Sequence, residues 1–277
     1  MDVLLLGTGA ADGIPNVFCR CETCTDYRLR GELRTPTSVL VDGRLLIDPG
    51  PEAPRQVTRY GRDLADLRAI LAGHAHDDHL DPSLLMHRSW VSSAPLEVCG
   101  PEPVVTITGK WLDPAQTAVR LRQVTAGDRF ELAGYEVLAL PANHHAFGEA
   151  LCYRISDGAS TLLYLTDTGR LSASALDAVS GSRVDLVLLE ETFGIVTGRS
   201  EHHHHLRSFA ETVTALRERG VVDAATRVLA IHLGHDNPPL TELREQLAQC
   251  GAEALPDGTL IELRPGRPDY SASQSRV

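Results

Sequence analysis

Eleven short apolar runs, each closed by a turn or a polar motif, set the strongest limit on how this chain can fold. They are VLLLG (3–7), TSVLVD (37–42), RLLID (44–48), AILAGH (69–74), PLEVCG (95–100), YEVLALP (135–141), ALCYRI (150–155), TLLYLTD (161–167), VDLVLLE (184–190), RVLAIH (227–232) and TLIELR (259–264). Their length and apolar content are those of buried strands. Asp42-Gly43, between the second and third runs, is a hairpin signal because both residues tolerate the positive φ of a tight turn. Helical periodicity is clear only in the second half. Leu206, Phe209, Val213 and Leu216 recur on one face with Gly220 placed to end the helix, and Leu240, Leu243 and Leu247 form a second face. Asn237 and Pro238 suit the start of that second helix, as cap and first-turn residue, and Gly251 lies past its end. Many strands with helices between them predict two sheets under outer helices, an α/β sandwich forming one domain over residues 1–264. The polar, Pro/Gly/Ser-rich segment 265–277 reads as a frayed tail or the start of a linker.

Polar motifs fall at the ends of these strands, where sites gather in layered α/β folds. GHAHDDHL packs His74, His76, Asp78 and His79 into six residues. Imidazole and carboxylate together suit zinc, manganese or iron. His74 and His76, two apart just after a strand, can turn towards one ion, and Asp78 and His79 can reach a second beside it. A polar loop of unrelated histidines is the alternative, and it leaves the density of donors unexplained. CRCETC supplies Cys19, Cys21 and Cys24, three-quarters of a closed tetrahedral zinc site. His235, three residues after His232, is the leading candidate for the fourth ligand. Three reduced thiols on a loop are the competing reading, at the cost of exposed reactive sulfur. Cys99, Cys152 and Cys250 are scattered and read as small core residues.

Composition excludes some functions. No apolar run approaches a bilayer span, and MDVLLLGTGAADG lacks the basic flank of a signal peptide, so a cytoplasmic protein without a membrane partner is expected. The net charge of −11, with Lys110 the only lysine, argues against an extended nucleic-acid partner. A small anionic substrate remains compatible, because metals or a few arginines can neutralise it locally.

GHAHDDH resembles the His-x-His-x-Asp-His signature of the metallo-β-lactamase superfamily. LLIDPG, PANHH, LTDTG and AIHLGH follow in that family's order, so the resemblance covers about residues 3–264. It implies an αββα sandwich with one or two metals. Carried over residue by residue, one ion takes His74, His76, His144 and Asp167, and a second takes Asp78, His79, Asp167 and His232. The shared carboxylate implies a separation of about 3.5–4 Å and a bridging hydroxide nucleophile. His144 is preferred to His145, and Asp48 is expected to orient ligands rather than to bind metal.

The cysteine cluster and the opening LGTGAADGIP are similar to the phosphoribosyl cyclic phosphate phosphodiesterase branch, in which such cysteines and a late histidine hold a structural zinc. That resemblance implies two zinc or manganese ions in the active site, one structural zinc on Cys19, Cys21, Cys24 and His235, and a small phosphodiester, cyclic or open, as substrate. Asp78 and Asp167 would orient the nucleophile. In EHHHHLRS (201–208) it points to His203 as the acid that protonates the leaving oxygen, with His204 and His205 as rivals. Hydrolysis of a lactone, thioester or amide, a transfer-RNA-type nuclease, and a non-catalytic metal-bound module are the alternatives. A homodimer is compatible with the sequence.

Overall fold

A computed structural model describes residues 1–113, 118–145 and 148–264; the tail 265–277 read from the sequence lies outside the described residues. In the first half the elements run β1 (Asp2–Gly7), α1 (Glu22–Arg30), β2 (Ser38–Val41), β3 (Leu45–Ile47), α2 (Ala53–Arg59), β4 (Ala69–Leu71), α3 (Ser83–Ser89), β5 (Leu96–Gly100), α4 (Glu102–Gly109), β6 (Val119–Gln123) and β7 (Arg129–Leu132). The second half holds β8 (Tyr135–Pro141), β9 (Leu151–Ser156), β10 (Thr161–Leu165), α5 (Ala173–Val179), β11 (Leu186–Glu190), α6 (Leu206–Glu218), β12 (Arg227–Ile231), α7 (Leu240–Ala248) and β13 (Leu260–Glu262). Seven strands form one sheet in the order β13-β1-β2-β3-β4-β5-β6, and six form the other in the order β12-β11-β10-β9-β8-β7. Helices flank both sheets, so the fold is the expected αββα sandwich.

Strand periodicity divides the apolar residues between two faces. Val3, Leu5, Leu45, Ile47, Leu162, Tyr164, Leu186 and Leu188 fill the space between the sheets. Their neighbours point outward. Leu4, Leu6 and Leu46 meet Val57 of α2 and Leu85 of α3. Leu163, Leu165, Val187 and Leu189 meet Phe209, Val213 and Leu216 of α6 and the three leucines of α7. These strands read as unbroken apolar runs because both faces are covered. Each such buried side chain contributes about 1.5–3 kcal/mol. The Asp42-Gly43 turn joins β2 to β3 with both φ angles positive, at 48° and 68°.

The structure corrects several local expectations. Asn237 does not cap α7. Its side-chain Nδ2 donates to the carbonyls of Glu191 (3.2 Å) and Gly234 (3.1 Å). The first helical amide, Leu240 N, is instead accepted by the Asp26 carboxylate of α1 at 3.2 Å, a cap supplied from a distant part of the chain. Helices α1 to α5 and strands β6 and β7 were not among the predicted elements. Each of these helices has nine residues or fewer, and none carries three leucines at helical spacing such as mark α7, itself of nine residues. Cys99 and Cys152 are buried and Cys250 is half-buried. No helix among the described residues is long and apolar enough to cross a membrane.

Candidate active site and metal centres

The strands β3-β4 of one sheet and β10-β11-β12 of the other run parallel within their sheets. Their carboxyl ends carry the polar motifs. Asp48 follows β3, the 74–79 segment follows β4, Asp167 follows β10 and His232 follows β12. Asp48, Asp167 and His232 all adopt left-handed backbone conformations, with φ of 49°, 45° and 52°. Non-glycine residues rarely do so, and clustering at strand ends marks a place where side-chain direction outweighs backbone preference. Gly50 keeps two site loops in contact, since a Cβ there would lie 2.0 Å from the Asp78 carbonyl oxygen.

Two donor groups result. His74, His76, His144 and Asp167 offer ligand atoms that all lie within 4.8 Å of one another, as do Asp78, His79 and His232. His74 Nε2 and His144 Nε2 approach His76 Nδ1 at 2.7 and 3.2 Å. Asp167 joins the two groups. Its Oδ1 is 3.9 Å from His74 Nε2, while Oδ2 is 2.8 Å from His79 Nε2 and 3.2 Å from His232 Nε2. Asp78 Oδ2 closes the second group at 3.0 Å from His79 and 3.5 Å from His232.

The donors fit metal cations. His79 Nε2 and His232 Nε2 are buried without a hydrogen-bond partner and face carboxylate oxygens. Ring nitrogens turned towards one another present lone pairs, which need a proton or a cation between them. Burial, reinforced by the charge of His79, pushes His74 well below the usual histidine range, leaving a neutral imidazole. Burial also lowers His144, to about 4. Burial opposes charge on Asp167 too, but His232, His79 and His74 outweigh it and hold the carboxylate ionised. His79 goes the other way: burial disfavours its charge, yet Asp167, Asp78 and Asp48 raise it well above the ordinary value. A proton on His79 therefore competes with a cation for this position.

Hydrogen bonds behind these donors fix their orientation. Asp48 Oδ2 accepts from His79 Nδ1 (2.9 Å) and from the Tyr164 hydroxyl (2.8 Å), and Oδ1 accepts from Gly73 N (2.7 Å). It touches the ligand rather than the cluster centre, which turns His79 Nε2 inward. Thr192 Oγ1 lies 2.9 Å from His232 Nδ1 and donates to Glu190 Oε2 at 2.6 Å. Glu190, fully buried at the end of β11, also takes His203 Nδ1 on Oε1 at 2.9 Å. Glu190 and Thr192 were missed from the sequence. The available signal was a pair of glutamates closing an entirely apolar strand, which burial makes costly unless the carboxylate is used.

The four consecutive histidines have four different settings. His202 is exposed, with Nδ1 3.3 Å from the Asn143 carbonyl oxygen. His203 faces the donor groups: its ring stacks on His232 at 5.7 Å and meets His144 edge-on at 4.9 Å. Burial disfavours its charge, but Glu190 prevails and raises it to about 9. His204 is wholly buried against Ser208, and burial lowers it to about 4. His205 caps α6 by accepting from Ser208 N. His145, the rival of His144, is exposed.

Asp167, His203 and His232 also meet the 4.8 Å limit, and at the start of α1 Cys19, Cys21, Cys24 and His235 form a separate donor group within it. Cys19 Sγ and Cys21 Sγ are 3.6 and 3.9 Å from His235 Nδ1. Ligands about 2.3 and 2.0 Å from a tetrahedral zinc stand about 3.5 Å apart, so the spacing fits that ion. Asp12 holds the other ring nitrogen, Nε2, at 3.4 Å. Burial pushes the Cys24 thiol up to about 12, so it ionises near neutral pH only beside a cation.

Residues 43–233 match the family model described as a β-lactamase superfamily domain. The chain belongs to that superfamily. Among its relatives, an octanoyltransferase of Porphyromonas gingivalis is 26% identical over 99% of the chain, which spans 55% of that protein's length. A coenzyme PQQ synthesis protein B of Azoarcus is 26% identical over 95% of the chain and 100% of the relative. A crystal structure of a new diphosphatase from the PhnP family superposes with a TM-score of 0.73 at 22% identity, covering 95% of this chain and 98% of that one. These names describe different reactions, so the family is shared and the substrate is not read from them. The clustered histidines and aspartates in this superfamily fold are those of a metal-dependent hydrolase.

Proposed function

We propose that the protein is a dinuclear metal-dependent phosphodiesterase acting on a small phosphodiester. The observation that carries this reading is the shared carboxylate of Asp167, with one oxygen turned to each donor group and His203 beside it. His74, His76, His144 and Asp167 would hold one ion, and Asp78, His79, His232 and Asp167 the other. Two divalent cations in such a frame, zinc or manganese by donor type, supply Lewis acidity towards a phosphoryl oxygen and acidify a water for attack.

The chain's own residues supply the rest. Asp78 and Asp167 orient the attacking oxygen as well as the cations. Glu190 holds the Nδ1 side of the His203 ring, leaving Nε2 to donate its proton to the leaving oxygen. The bond from phosphorus to the leaving alcohol breaks, a new bond to the water oxygen forms, and the products are a phosphomonoester and an alcohol. Burial opposes charge on His203, but Glu190 outweighs it and raises the ring to about 9, which keeps it protonated for that transfer. The name diphosphatase, carried by the structural relative, also denotes cleavage at phosphorus. A structural zinc on Cys19, Cys21, Cys24 and His235 completes the reading.

The test compares metal-loaded protein on phosphodiesters, phosphomonoesters, lactones and thioesters. Turnover of diesters supports the proposal. Turnover of lactones or thioesters alone moves the protein to another branch of the superfamily.

A further inference from the structure

The glycine-rich turn in LGTGAADGIP, which follows β1, has no part in the chemistry above, yet it grips the residue next to His232. Gly9 N donates to the Thr35 carbonyl at 2.8 Å, and Ala10 N donates to the Leu233 carbonyl at 2.9 Å. Leu233 N donates in turn to the Thr8 carbonyl at 2.9 Å. Gly9 thus bridges Pro36 on one side and Leu233 on the other. With these amides engaged inside the protein, the turn is a clamp on the segment after β12 rather than a cradle for an anion. The fit is close: a Cβ at Gly7 would lie 2.0 Å from the Pro36 carbonyl oxygen. Behind the clamp, buried Thr8 accepts from Arg34 Nη1 and donates to Asp257 Oδ1 through its Oγ1, both at 2.6 Å.

Thr37, fully buried just before β2, links this clamp to His232. Its Oγ1 accepts from His232 N at 3.0 Å and donates to the Gly9 carbonyl at 2.9 Å. Among the described residues the Thr37 hydroxyl has no other partner. His232 has φ 52°, and a non-glycine residue keeps such a conformation only where its surroundings fix it. Thr192 lies against the ring at Nδ1, and Thr37 holds the backbone from the other end. Without the hydroxyl, the buried His232 N–H and Gly9 carbonyl would both lack a partner, and the turn at His232 could relax only by swinging the ring.

We propose that Thr37 is a positioning residue: it locks the His232 backbone in its left-handed turn, aims Nε2 at the Asp78 and Asp167 carboxylates, and so sets the affinity of the Asp78, His79 and His232 group for its cation. This rests on the dinuclear reading of the site and not on the identity of the substrate. His74 and His76 follow β4 and His144 follows β8, so the other ion keeps its histidines when Thr37 changes.

The test titrates zinc into protein stripped of its active-site ions, with each binding step followed by calorimetry. The wild type should take two ions beyond the cysteine-bound zinc. Thr37→Val keeps the side-chain shape and removes the hydroxyl. It should weaken one of the two ions about 10- to 100-fold and the other less than about threefold. Thr37→Ser restores the hydroxyl and should bind both ions as the wild type does. In a His232→Ala background, Thr37→Val should change affinity less than about twofold, because the residue it acts through is gone. A merely structural Thr37 would instead lower the melting temperature alone or weaken both ions alike. Should Thr37→Val fail to fold, Thr37→Ala removes the same hydroxyl with a smaller side chain and is read in the same way. Unchanged affinity in Thr37→Val, equal loss of both ions, no rescue by Thr37→Ser, or a full additional loss in the His232→Ala background each overturns the role. A wild type that takes up a single ion overturns the role and the dinuclear reading together. Two ions with a Thr37-dependent affinity but no cleavage of any diester would sink the phosphodiesterase reading and keep the role.

Discussion

At the scale of single residues, position matters more than residue type. Twelve histidines occur in the chain, and four of them are consecutive. Only His203 of those four has its ring held by a buried carboxylate and stacked on the second donor group. His203→Ala should keep full metal content and lower turnover of a poor-leaving-group diester by about 10²–10⁴-fold, with a much smaller loss on a nitrophenyl ester. Loss of a metal ion in the variant would make His203 a ligand instead, a role its closeness to Asp167 and His232 permits. Glu191 offers a second test at this scale. Its carboxylate is wholly buried, and burial outweighs the hydrogen bonding of Asn237 and raises it to about 8. The folded pKa lies above the unfolded value of about 4.3, so the stabilising contribution is complete below that value and is lost as pH rises towards 8. Glu191→Gln, which cannot ionise, should gain on the wild type by roughly 2–4 kcal/mol between about pH 5 and pH 8 in denaturant melts. A constant difference across that range would show that Glu191 does not titrate there. Four of the donor residues were legible because they share one motif, whereas His144, Asp167 and His232 were reached only through the family resemblance. Glu190 and Thr192 were not, because their roles arise from a hydrogen-bond relay between β11, His203 and His232 that no local spacing encodes.

At the scale of elements, the buried strands could be read and their short helices could not. Runs such as TLLYL are apolar on both faces because helices and the second sheet cover them, and that continuity is visible in sequence. Helix α2 has seven residues with Pro54 in its first turn, and α3 has seven with no side-chain cap, so neither carries a periodic stripe. The start of α7 failed for another reason: its cap is Asp26, more than 200 residues earlier in the chain. Two substitutions test how elements hold the site. A Cβ at Gly169 would lie 1.8 Å from the Glu201 carbonyl oxygen, so Gly169→Ala must push the histidine segment away from the Asp167 turn. Turnover should fall by up to about 10²-fold with metal content retained, since a displacement near 1 Å suffices for that. Unchanged kinetics would show that the segment adapts freely. Cys21 both caps α1 and belongs to the cysteine group. Cys21→Ser should lower the melting temperature more than it lowers turnover per metal-loaded active site, and chelators should then have less left to destabilise. A variant as stable as the wild type would remove the structural role of that group.

At the scale of the whole molecule, two sheets bring the Asp167 carboxylate in among six other donor residues, and the account stands or falls on what that carboxylate does. Protons compete for the same centre through His79, so metal affinity should rise by about tenfold per pH unit while that proton must be displaced. Metal titrations followed between about pH 6 and pH 8 check the slope, and a flat profile would place the cations elsewhere. The most direct measurement pairs metal analysis with a hydrolysis panel, on wild type and Asp167→Ala side by side. The wild type should hold two ions beyond the cysteine-bound zinc and cleave phosphodiesters ahead of lactones and thioesters, and the variant should lose both those ions and the activity. Retention of diester cleavage by Asp167→Ala, or a wild type that turns over only lactones or thioesters, would contradict the account.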